Sequence, residues 1–78
     1  MNPIMKPKYL VRSQDVPSYR PANHHHTSNQ RLIGPETTGA RQMEVVLGTL
    51  QKGGGALPHA HPGIEQACHL LEGTAHVE

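Results

Sequence analysis

The sequence predicts an all-β protein with an irregular N-terminal segment. Glycine and proline, eight and seven of the 78 residues, punctuate the chain too often for long helices. The run Arg41–Leu50, RQMEVVLGTL, is rich in Val, Leu and Thr and ends on a glycine break, as a strand does. No stretch carries the 3.6-residue apolar period of an amphipathic helix.

Taken in order, residues 1–30 carry Pro3, Pro7, Pro17 and Pro21 among polar residues and read as an irregular arm. A short strand at Tyr9–Arg12 is the only regular element expected there, and Pro21–Asn29 reads as a polar loop. Residues 31–78 read as the β domain. Arg31–Ile33 is a brief strand and Gly34–Gly39, GPETTG, a turn. Arg41–Leu50 is the best strand in the chain, and Lys52–Gly55, KGGG, lacks the pattern of a phosphate loop and reads as a flexible bend. Ala56–His61 is extended until Pro62, which has no amide hydrogen for a ladder. Gln66–Leu71 is a short apolar strand, Glu72–Thr74 a tight turn, and Ala75–Glu78 the start of a return strand.

Composition narrows the function. Seven Lys or Arg against six Asp or Glu give a net charge of +1. The basic residues are scattered and lack interleaved aromatics, so no nucleic-acid surface is expected. No run approaches the ~20 apolar residues of a membrane span, and MNPIMKPKYL lacks the apolar core of a secretory signal. Cys68 is the single cysteine, which excludes an internal disulfide and suits a cytoplasmic protein. With no Phe or Trp, the core must come from Leu, Val, Ile, Ala and Met. A core of that kind in a chain this short is marginal without a metal or a partner subunit.

The chemistry concentrates in Gly53–Gly73, GGGALPHAHPGIEQACHLLEG. In a strand, residues two apart share a face, so Leu57, His59 and His61 point together while Ala60 points away. Two neutral imidazoles and an oxygen donor suit iron, manganese, nickel, copper or zinc. The bend at Pro62–Gly63 returns the chain so that Glu65 or Gln66 supplies the oxygen.

A glycine, five residues, His-x-His, then Glu65 or Gln66, then Gly73 resembles the first signature of the cupin superfamily. The match from Gly53 to His59 is complete, and beyond it two registers remain. Glu65 fits the three-residue gap after His61 but leaves seven residues before Gly73. Gln66 fits the four-residue gap and leaves the six that the pattern asks. Gln66 is preferred, on the face shared with Cys68 and Leu70.

The resemblance implies a partial jelly-roll β-barrel over residues 31–78. It implies a divalent ion (Fe, Mn, Ni or Zn) on His59, His61 and Gln66 or Glu65, with a later histidine as a further ligand. The second cupin signature, which would carry that histidine, does not occur before Glu78, so the chain reads as truncated after the first. A small-molecule metalloenzyme of dioxygenase, isomerase, lyase or decarboxylase type is the first expectation. The alternatives are a non-catalytic small-molecule-binding or sensing module and an inert truncated product. An unpaired strand edge at Gln66–Leu71 or its neighbour, and an uncovered face led by Leu57, Cys68 and Leu70, predict a homodimer. Other polar residues read more plainly. His24–His26 form a solvated loop, because consecutive residues do not all face one ion. Cys68 is a small buried hydrophobe, His69 packs or faces solvent, and Glu72 is solvated in its turn.

Overall fold

The computed structural model describes residues 9–77. Its regular structure is one two-stranded antiparallel sheet, β1 (His24–Ile33) against β2 (Val45–Ala56), preceded by a single 3₁₀ turn at Ser13–Asp15. The all-β expectation holds at this level. Among the described residues the sheet has two strands and does not close on itself.

Several elements differ from the sequence reading. Pro21–Asn29 is not a loop: a turn closed by the His24 amide on the Pro21 carbonyl (3.3 Å) feeds β1, which starts at His24 and absorbs the expected strand Arg31–Ile33. β2 starts at Val45, not Arg41, and runs through Lys52–Gly55, so the expected bend is strand. Backbone pairing needs no side chain, and Gly55 meets a partner, His25, that propensity does not weigh. Tyr9–Arg12 and Gln66–Leu71 are not strands. An apolar run becomes a strand only with a neighbour for its N–H and C=O groups; without one, water takes them. The return strand from Ala75 is also absent over Ala75–Val77, and Glu78 lies outside the described residues, as do Pro3 and Pro7 of the arm.

The register explains the glycine run. His25 pairs with Gly55 and Thr27 with Leu50, so Gln51, Lys52, Gly53 and Gly54 stand opposite His26 alone. This wide bulge bends the ladder, and both sides meet it with left-handed backbone: His26 at φ 52° and Gly53 at φ 80°. A Cβ on Gly54 would lie 2.5 Å from the His26 carbonyl oxygen and 2.9 Å from that of Gln51.

The connection between the strands is tight, as GPETTG suggests. The Gly34 carbonyl accepts from the amides of Thr37, Thr38 and Gly39 at 3.3, 3.0 and 3.1 Å. Arg31 of β1 ties this turn to the approach of β2. Its Nη1 donates to Glu36 Oε1 at 2.9 Å, and its Nε lies 3.2 Å from Glu44 Oε1 without hydrogen-bond alignment. The guanidinium also sits 5.3 Å from the Tyr19 ring centre. The hydrogen bond from its own backbone amide, then the pairing with Arg31, holds the Glu36 carboxyl below its usual range.

Packing is sparse. Val16 is the one buried hydrophobic side chain among the described residues, while Val45, Val46, Leu50 and Leu57 are exposed. The segment around Val16 is held to the sheet by polar bonds. Gln30 Nε2 donates to the carbonyls of Ser13 (2.7 Å) and Val16 (2.8 Å), and Tyr19 and Asn29 exchange backbone bonds at 2.8 Å each. A net protein hydrogen bond contributes about 1 kcal/mol. Gln30→Ala should therefore cost about 1–2 kcal/mol and release the segment from β1. Amide exchange of Asp15, Val16 and Tyr19 should accelerate while that of Thr49 stays slow; equal protection in both proteins would show that the clip is idle.

Candidate functional site

The histidines gather where the ends of the sheet meet. After Ala56 the ladder gains one further bond, from the Leu57 amide to the Asn23 carbonyl at 2.9 Å. Asn23 is itself left-handed, at φ 62°. This bond keeps the chain leaving β2 beside the chain entering β1. Two residues on, His59 Nδ1 lies 2.8 Å from the Leu57 carbonyl oxygen. A carbonyl only accepts, so Nδ1 carries the proton, and in the neutral ring Nε2 keeps its lone pair.

His59 and His61 stand together as their spacing suggests, but not for the reason given by strand alternation. β2 ends at Ala56, and Leu57–His61 lies outside the sheet. The rings nevertheless approach to 4.9 Å between centres, edge to face at 86°. A turn follows, with the Ile64 amide 3.4 Å from the His61 carbonyl, Pro62 at its second position and Gly63 at φ 79°. This is the residue pattern of a type II turn. Glu65 and Gln66 come after it as exposed residues outside any strand. Strand alternation therefore does not place Gln66 on a shared inner face with Cys68 and Leu70. Cys68 is exposed rather than buried.

His24 is the residue that sequence reasoning missed. Far from lying in a solvated loop, it opens β1, is half-buried, and brings its ring centre to 5.8 Å from that of His59. Only the pairing of His24 with Ala56, from opposite ends of the hairpin, could reveal this. His25 and His26 contact each other instead, at 6.0 Å.

Two imidazoles on one ion, each with a metal–nitrogen bond of about 2.0–2.1 Å, have ring centres roughly 4.5–5.2 Å apart for ligand angles between 90° and tetrahedral. His59 and His61 fit that window. As the side chains stand, no group of three His, Cys, Asp or Glu among the described residues has the arrangement to hold a metal ion. A recess of about 460 Å³ lies elsewhere, around Val16, Tyr19 and Arg31.

No family model matches the chain, and no curated protein or solved structure matches it either. Among the described residues no helix is long and apolar enough to cross a membrane.

Proposed function

We propose that the chain is a cupin-like cytoplasmic protein that binds a divalent cation, iron, manganese, nickel or zinc, through His59 and His61. Gln66, or Glu65 in the shorter register, supplies an oxygen. The observation that supports this reading is the 4.9 Å approach of the two rings, together with the Nδ1 bond that leaves the His59 Nε2 lone pair to a ligand. A second-sphere bond from one ring nitrogen to a carbonyl is the usual companion of a metal-ligating histidine. Gln66 and Glu65 sit beyond the Pro62–Gly63 turn and are exposed, so either is free to swing toward the ion.

A bound ion would supply Lewis-acid or redox chemistry to a small molecule. The residues of this chain would hold it and fix one ring through the Leu57 carbonyl. Catalysis of dioxygenase, isomerase, lyase or decarboxylase type is the first form of the proposal. The alternative, a non-catalytic binding module, draws support from the exposure of His59 and His61, which leaves the site open to solvent.

The test is a nickel titration in a His25→Ala/His26→Ala background, followed by calorimetry. His59→Ala/His61→Ala should weaken binding at least tenfold, and Gln66→Ala should weaken it more than Glu65→Ala. Equal affinity with and without the histidine pair would sink the site. A larger loss for Glu65→Ala would instead assign the oxygen to the shorter register.

We also propose that the chain associates as a homodimer. It exposes 7478 Å², whereas a compact monomer of 8.5 kDa exposes only about 4700 Å². The outer edge of β2 is the natural seam. Among the described residues it carries no further strand, while the outer edge of β1 is bridged at Asn29 by Tyr19. β2 contains no proline and one charge, Lys52, so little guards it against pairing.

A further inference from the structure

We propose that the recess beside Val16 binds a small zwitterion, an α-amino acid with a large apolar side chain. The recess lies between residues 10–19 and Arg31 of β1. Its volume of about 460 Å³ falls within the roughly 300–1,000 Å³ of small-molecule sites. Leu10, Val16, Pro17 and Tyr19 give it an apolar wall. Val16 is buried, but Leu10 is 75% exposed and Tyr19 37%. An apolar group seated there removes their surface, and its own, from water.

The charged lining decides what else the ligand carries. Arg12, Arg31, Asp15 and Glu36 all line the recess. Arg31 and Glu36 satisfy each other at 2.9 Å, and Arg31 also lies 3.2 Å from Glu44. Arg12 and Asp15, both exposed, form no ion pair among the described residues. They stand one 3₁₀ turn apart, because the Asp15 amide donates to the Arg12 carbonyl at 2.9 Å. Three residues of such a turn rise about 6 Å, so an unspent cation and an unspent anion flank the same apolar wall. An α-amino acid matches all three parts. Its carboxylate accepts from Arg12, its ammonium donates to Asp15, and its side chain packs on Val16 and Tyr19. A simple acid would leave Asp15 beside a like charge, and a simple amine would do the same to Arg12. The wall is also set before binding. Gln30 Nε2 holds the carbonyls of Ser13 and Val16, and Tyr19 is bridged to Asn29, so little ordering remains to oppose association.

The experiment titrates three probes into the full wild-type chain and follows the Val16 methyl and Tyr19 ring resonances. L-phenylalanine should bind with a Kd of about 1 mM or tighter, the range open to a ligand of this size. 3-Phenylpropionate lacks the ammonium and phenethylamine lacks the carboxylate; each should bind at least tenfold more weakly. This series needs no variant, so misfolding cannot imitate its result. 3-Phenylpropionate binding as tightly as phenylalanine would remove Asp15 from the site, and phenethylamine doing so would remove Arg12; either overturns the zwitterion assignment. No saturable shift of Val16 and Tyr19 up to about 10 mM phenylalanine, an order above the expected Kd, would overturn the site itself. Two isosteric or shortened side chains complete the test. Asp15→Asn and Arg12→Ala should each weaken phenylalanine at least tenfold, and Asp15→Asn should leave 3-phenylpropionate no weaker than in wild type. Phenylalanine affinity within twofold of wild type in both variants would also overturn the proposal.

Discussion

Gly54→Ala should open the His24–Ala56 end of the hairpin and lower the melting temperature by at least about 5 °C. The new Cβ would meet three backbone oxygens, of His26 at 2.5 Å, Gln51 at 2.9 Å and His25 at 3.1 Å. Backbone does not step aside as a long side chain does. Overpacking of this kind costs about 1–3 kcal/mol, and each kcal/mol moves the melting point of a 60–100-residue domain by roughly 4–8 °C. Two other glycines calibrate the result. Gly53→Ala keeps open space around it but must adopt φ 80°, at a cost of about 1–2 kcal/mol. Gly48→Ala meets only Asn29 Oδ1 at 3.4 Å and should be mild. Thermal melts followed by circular dichroism check the order. A Gly54→Ala protein melting within a degree of wild type would contradict the bulge geometry.

Melting should also depend on protein concentration. If folding and association are linked, a tenfold dilution removes about 1.4 kcal/mol per dimer. For a unit of about 150 residues that lowers the melting point by roughly 3–6 °C. Val46→Lys/Leu50→Lys should shift the population toward monomer in analytical ultracentrifugation. Both side chains are exposed on β2, at 40% and 57%, and paired copies of the edge would bring like charges together. A cooperatively melting monomer, with one melting point from 1 to 100 μM, would refute the dimer. The candidate seam is β2 and not Gln66–Leu71, because the latter forms no strand.

The sequence by itself determined the strand character of Val45–Leu50, the turn at Gly34–Gly39 and the nearness of His59 to His61. Each of these depends on residues close in the chain: β-branched and aliphatic side chains, a Gly-Pro start, a one-residue spacing before a Pro-Gly turn. Whether an ambiguous stretch becomes strand was decided by its partner. His24–Asn29 has the composition of a loop, yet it pairs with Gly48–Leu50 and with Gly55–Ala56, so that Gly48 and Gly55 of β2 gain a strand partner. Gln66–Leu71 has the composition of a strand, yet it stays irregular, because no neighbouring strand among the described residues takes up its hydrogen bonds. The entry of His24 beside His59 belongs wholly to the tertiary structure. Thirty-odd residues separate them, and only the antiparallel register, with the bulge opposite His26 and the bond from Leu57 to Asn23, brings the two ends of the hairpin together.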